Sequence, residues 1–368
     1  MTPSAPIAGD PDRRLLDLLP RVLDAALDRR RMELERLAPE SAELPRILAA
    51  YLEGGKLLRP RFVLWAAECA RSVDEALLTS VATAGAAVEL VQAAALLHDD
   101  VIDNSPMRRG RPAVHVAAAQ QHRRAGLSGD PVRFGEAVAI ILGDLALSWA
   151  EQLAAPVLAE HPAARPEFDA LRTEVMAGQH LDMLHQAGGF LSPADPVDAA
   201  RTVIRWKTVS YTVHRPLRIG ARLAGADDEL LQLLDEVAVP VGTAFQLRDD
   251  LLSVVGDPAD TGKPVGGDVT EGKRTVVLEL ARTRADERQR TALEAAVGRQ
   301  DATPGQVQDA LAVLRATGAV AEVVAEVESH AQRARDRLYA SDAVRAEGRE
   351  GLLALIDRAT DVGFARAR

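Results

Sequence analysis

Aromatic side chains are scarce in this chain, at 3% of its 368 residues. Lysine is scarcer still: Lys56, Lys207, Lys263 and Lys273 are the only four, and arginine supplies the rest of the 44 basic residues. With few aromatics, and with Ala, Leu and Val carrying the apolar content, a strand-built core is disfavoured and helices are favoured. A single cysteine, Cys69, excludes an internal disulfide and fits a reducing compartment, so a cytoplasmic location is expected. A basic excess is also missing. The net charge of −10 speaks against a nucleic-acid partner. The N-terminus MTPSAPIAGDPDRR lacks the apolar run of a signal peptide. The stretch 76–97 has the length of a membrane span, but it is rich in small residues and holds Glu89 and Gln92. A helix buried in protein explains it better, and no transmembrane segment is expected.

What is present is apolar periodicity. Leu15, Leu16, Leu19, Leu23, Ala26 and Leu27 form one helical stripe, and Leu230, Leu234, Val237, Val241 and Phe245 another. Pro240 is expected to kink the second. Further helical patterns cover 60–72, 136–155, 166–188, 197–224 and most of 303–365, with Thr275–Leu280 open to a strand reading. Residues 1–12 read as a disordered tail and 13–368 as one all-α domain, a large helical bundle.

Two apolar helices are expected to close on aspartate pairs, Asp99-Asp100 and Asp249-Asp250, 150 residues apart. In DDVID, Asp99 and Asp103 share a helix face about 6 Å apart, while Asp100 turns away. Paired hard oxygens at this spacing suit Mg²⁺, which fills its octahedron with water and phosphate oxygens. Carboxylates at a helix C-terminus oppose the helix dipole, so a merely solvated helix end is a poor explanation. The second motif, DDLLS, has Ser253 where a third carboxylate would complete it. The following loop, GDPADTGKPVGGDVTEGKRT, carries glycines together with Lys263, Asp268 and Lys273, and it does not match a Walker A sequence. The remaining cations cluster in GGKLLRPR (Lys56, Arg59, Arg61), PMRRGRP (Arg108, Arg109, Arg111) and WKTVS (Lys207). Acidic motifs for a metal, surrounded by cations for phosphate, form a diphosphate-handling site.

The ordered series GGKLLRP, LLHDDVIDNSPMRRGRP, GQHLD, KT, FQLRDDLL and GKPVGGDVTEGKRT resembles the trans-isoprenyl diphosphate synthases over roughly residues 50–280. The resemblance implies an all-α bundle around a central cavity, a homodimer, and three Mg²⁺ ions. It also implies condensation of isopentenyl diphosphate with an allylic diphosphate. By position, Asp99 and Asp103 correspond to ligands of two ions and Asp249 to the ligand of the third, with Asp250 and Asp268 in support. Arg108, Lys207 and Lys263 correspond to the holders of the allylic diphosphate. Lys56, Arg59 and Arg109 correspond to the holders of isopentenyl diphosphate, where Gln92 replaces a common histidine. Thr208 and Gln246 fall near the developing cation, and Lys273 matches a lysine of a closing loop.

Product length is expected to depend on Val91, Ala94 and Ala95, one and two turns before Asp99. Small residues there favour a product of at least twenty carbons, geranylgeranyl diphosphate first, with farnesyl or longer polyprenyl diphosphates as alternatives. Two readings from other classes are a terpene cyclase and a non-catalytic subunit of a heteromeric synthase. The cyclase would need neither Lys56 and Arg59 nor the Arg108-Arg109 pair, and the subunit would have lost its acidic motifs.

Overall fold

The computed structural model describes residues 9–189, 195–256 and 266–366. Aspartate starts several of the helices, three of the six longest among them. The side chains of Asp74, Asp130, Asp195 and Asp227 each accept a hydrogen bond from an N–H of the first turn, and proline follows directly at Pro131 and Pro196.

The helices are α1 (Gly9–Glu35), α2 (Glu43–Leu52), α3 (Leu58–Ala70), α4 (Glu75–Ile102), α5 (Val114–Arg124), α6 (Pro131–Glu160), α7 (Arg165–Gln186) and α8 (Pro196–Val203). A π-helical segment, Ile204–His214, runs on into α9 (Arg215–Leu223) and then α10 (Asp228–Val255). The chain continues through α11 (Gly267–Glu271), α12 (Val276–Arg284), α13 (Glu287–Glu294), α14 (Pro304–Ala316), α15 (Ala319–Tyr339), α16 (Ala346–Thr360) and α17 (Gly363–Arg366). One two-residue hairpin, β1 (Met107–Arg108) with β2 (Arg111–Pro112), pairs antiparallel. The all-α class follows.

Four sequence expectations are corrected. Residues 9–12 are not tail: α1 begins at Gly9, and Asp12 is fully buried against the equally buried Arg61 at 3.0 Å. A buried carboxylate beside a buried guanidinium ties the first turn of α1 to α3. Val276–Leu280 is helical, with the Thr275 side chain capping α12 at its start. Helix α10, with Pro240 inside it, runs past Asp250 to Val255, so the second aspartate pair does not close its helix. The 197–224 pattern is three pieces, with π-helix in the middle.

The apolar interior forms two clusters. The larger gathers α1, α3, α4, α6, α7, α9, and α10 as far as Val241. The smaller takes α10 from Ala244 onward with α8, α12, α14 and the start of α15. Helix α10 passes from one to the other at Gly242, so Gln246, Asp249 and Asp250 follow directly after the junction. Helix α4 is long and apolar enough to cross a membrane, but 78% of its most apolar window is buried in protein. Helix α6 passes the same test of length and composition with only 39% buried. The sequence reading had not singled it out.

Candidate active site

Helix α4 ends at Ile102 with Asp103 as its C-cap, which brings Asp99, Asp100 and Asp103 to one edge of the bundle. Lys207 Nζ donates to Asp99 Oδ1 at 3.0 Å and also to Asp182 of α7. Gln179 of α7 donates to the same Asp99 oxygen at 3.0 Å. Burial pushes the Asp99 carboxyl upward, but Lys207, Lys273 and Arg108 outweigh it and bring its pKa down to about 2. Asp100 accepts from Arg108 (Nε, 2.9 Å) and from the Tyr51 hydroxyl at 3.3 Å. Burial, with the Asp100 charge added, drives the Tyr51 phenol up, so it stays a neutral donor. Arg108 is held charged by Asp100, which more than offsets its own burial.

Lys273 Nζ lies 3.1 Å from Asp103 Oδ2, 3.1 Å from Glu271 and 3.8 Å from Asp268. Despite this ammonium, Asp103 Oδ2 is buried and has no well-aligned hydrogen bond. Burial and the neighbouring Asp99 charge raise the Asp103 pKa.

The second motif joins the first through consecutive residues. Thr208 donates to Gln246 Oε1 at 2.6 Å, and Gln246 Nε2 donates to Asp250 Oδ1 at 2.7 Å. Asp250 is buried, and burial together with Asp268 lifts its pKa well above the usual carboxylate range. Asp249 is exposed and turned the other way. It attracts the Lys56 ammonium, whose pKa is nevertheless lowered by lost hydration and by nearby Arg248 and Arg358. A cavity of about 810 Å³ opens there, lined by Lys56, Phe245, Arg248 and Arg358 among others.

Arg59 is buried, donates to Thr212 Oγ1 at 2.8 Å and stacks 4.3 Å above the Tyr211 ring. Arg109 donates to the Tyr51 and Glu53 carbonyls at 3.0 Å each. Gln92 is partly buried on α4. Among the described residues, three non-glycine residues take left-handed backbone: Leu57, Asn104 and Arg109, at φ 50–51°. All three flank this site, where stored backbone strain commonly accompanies function. Lys263 lies outside the described residues.

Among the described residues, no group of three or more His, Cys, Asp or Glu side chains is gathered as a ready-made metal site. The donor set still fits Mg²⁺. Asp99 and Asp103 offer hard oxygens one turn apart, and the Asp103 oxygen is under-satisfied. An ion that keeps waters and takes phosphate oxygens needs no full protein cage.

Contacts thus tie DDVID, GQHLD, Lys207-Thr208, Gln246-Asp250 and Lys273 together, while Asp249 faces away from them. A family model described as "Polyprenyl synthetase" matches residues 41–314. This chain belongs to the polyprenyl synthetase family. It is accordingly a prenyltransferase. A geranylfarnesyl diphosphate synthase from Aeropyrum pernix is 31% identical over 83% of this chain and 89% of its own length. A nonaprenyl diphosphate synthase from Mycobacterium tuberculosis is 29% identical over 84% of each chain. Among solved structures, a geranylgeranyl pyrophosphate synthase from Corynebacterium glutamicum, complexed with isoprenyl diphosphate and magnesium, shares 37% identity. Its fold superposes with a TM-score of 0.88 over 94% of this chain and 98% of that one. These relatives make products of different length, so family membership does not set the product of this polyprenyl synthetase.

Gln179, Asp182, Tyr51 and Glu271 were given no role from sequence. The first two sit in the GQHLD motif, whose spacing puts them near one helix face, and that was the signal available. Tyr51 and Glu271 carried none. Val91 and Ala94 are fully buried and Ala95 is partly so. Neither the 810 Å³ cavity nor a second one of about 1040 Å³ between α2, α5 and α6 is lined by them.

Proposed function

We propose that this prenyltransferase condenses isopentenyl diphosphate with an allylic diphosphate and releases a linear trans-polyprenyl diphosphate, geranylgeranyl diphosphate being the favoured product. The reading is carried by Lys207 and Thr208. These consecutive side chains reach the two acidic motifs, Lys207 to Asp99 and Thr208 through Gln246 to Asp250. Lys207, Arg108 and Lys263 hold the allylic diphosphate. Lys56, Arg59, Arg109 and Gln92 hold isopentenyl diphosphate. Asp99, Asp103 and Asp249, with Asp250 behind, hold three Mg²⁺ ions, which when bound neutralise the diphosphate and stabilise it as a leaving group.

The chain's own part is electrostatic. Lys207 and Lys273 stand where charge grows on the leaving oxygen, and cations aimed there stabilise the transition state more than the bound substrate. The Thr208 hydroxyl and Gln246 carbonyl present oxygen dipoles toward the allylic carbon as it becomes positive. Lys273 closes the site against water, which would quench an allylic cation.

The test is the product spectrum with isopentenyl diphosphate and each allylic primer, with Mg²⁺ and with EDTA. Mg²⁺-dependent linear products are expected. A cyclic hydrocarbon from geranylgeranyl diphosphate alone, or no product from any primer, defeats the reading. For length, Ala94→Phe is expected to shorten the product toward fifteen carbons, and unchanged chromatograms would remove that wall. A homodimer is supported by α6, which leaves Val132, Phe134, Ile140 and Ile141 exposed along an apolar helix. Sedimentation as a monomer at micromolar concentration would remove it.

A further inference from the structure

The segment that carries Lys207 and Thr208 has an unusual backbone for its length. Ile204–His214 is π-helical over 11 residues, and π-helix is rare beyond a single turn. Something must hold it. Two glycines give it room: a Cβ on Gly178 of α7 would stand 2.4 Å from the Lys207 nitrogen, and one on Gly242 of α10 would stand 2.9 Å from the Val209 Cα. The segment's backbone is therefore seated in notches on both sides.

An ion cluster then fastens its end. Ser210, fully buried, donates to Glu174 of α7, one turn before Gly178. Arg215, the first residue after the π-segment, forks onto Glu174 (Nε to Oε2, 2.8 Å) and reaches Glu167 at 2.6 Å. Arg218 joins Glu167 at 2.8 Å to Asp235 of α10 at 2.8 and 2.9 Å, and His214 meets Asp235 at 2.8 Å. Bidentate, partly buried pairs of this kind fix geometry as well as charge.

The same π-segment serves both proposed subsites. Lys207 and Thr208 face the acidic motifs, and Tyr211 and Thr212 hold Arg59. We propose that Glu174 is a positioning residue for the condensation. By clasping Ser210 and Arg215 it sets the turn of the π-segment, and so aims the holders of both diphosphates together. This rests on the functional reading above. Loss of the clasp lets the segment relax toward α-helical i→i+4 pairing, which rotates all four side chains at once.

The test is steady-state kinetics of Glu174→Gln with isopentenyl diphosphate and an allylic diphosphate, on protein whose thermal melt is still cooperative above the assay temperature. The kcat is expected to fall about tenfold and both KM values to rise about fivefold. Thr212→Val, which loosens only Arg59, is expected to raise the KM for isopentenyl diphosphate alone. Should Glu174→Gln not fold, Ser210→Ala removes only the hydroxyl of the clasp and is expected to move the same three constants together, about threefold. Constants within twofold of wild type, or a shift in one KM only, overturn the proposal and leave Glu174 a purely structural residue. A wild-type chain inactive with every primer instead overturns the functional reading, and the proposal with it.

Discussion

The two aspartate pairs look alike in sequence and differ in surroundings. At the first, every carboxylate meets a cation: Asp99 meets Lys207, Asp100 meets Arg108 and Asp103 meets Lys273. At the second, Asp250 accepts from the amide of Gln246, with Asp268 and Asp249 opposing its charge and Lys273 favouring it. Asp249 faces outward toward Lys56 and Arg248. The first pair ends its helix, while the second sits inside one that continues to Val255. Identical side chains thus form ion pairs in one place, while in the other one carboxyl is buried against an amide and its neighbour is exposed beside cations. A bound cation must compete with lysines at the first, whereas the Asp249 carboxylate at the second is open to solvent.

The largest effect that would break this comparison is on turnover. Asp99→Asn is expected to lower kcat by on the order of 10³-fold, and Asp249→Asn by roughly 10²-fold, in single-turnover assays at saturating Mg²⁺. The reverse order would make the exposed motif the dominant one. Next is stability. Lys273→Met leaves the buried Asp103 without its ammonium, and urea unfolding is expected to show a loss of about 2 kcal/mol. Asp249→Asn is expected to stay within about 0.5 kcal/mol, because its carboxylate is exposed. The smallest effect sharpens the contrast. Ser253→Asp restores a third carboxylate one turn after Asp249, and the Mg²⁺ concentration for half-maximal activity is expected to fall about threefold. An unchanged or higher requirement would mean that Ser253 does not face the cation.

Most helices and the order of the motifs were legible because apolar spacing and loop residues are local signals. Asp99 and Asp103 on one face followed from helical arithmetic alone. The contrast between Asp249 and Asp250 did not, since adjacent residues on α10 point about 100° apart and only the packing decides which one is buried. The π-segment was read as ordinary helix because its apolar pattern resembles one. The glycines that leave room for its backbone, Gly178 and Gly242, lie on two other helices. The early start of α1 was missed for the same reason, since the partner of Asp12 is Arg61, 49 residues away.

By itself, the sequence determined that this chain is helical, that it carries two acidic motifs amid sparse lysines, and that it belongs with enzymes of diphosphate chemistry. These are properties of spacing and residue type, which survive without neighbours. Which carboxylates are neutralised, which arginines are already engaged, and how the Lys207 segment is wound were decided only by tertiary structure. Charge, burial and backbone room depend on groups distant in the chain, and they become defined only when the helices pack.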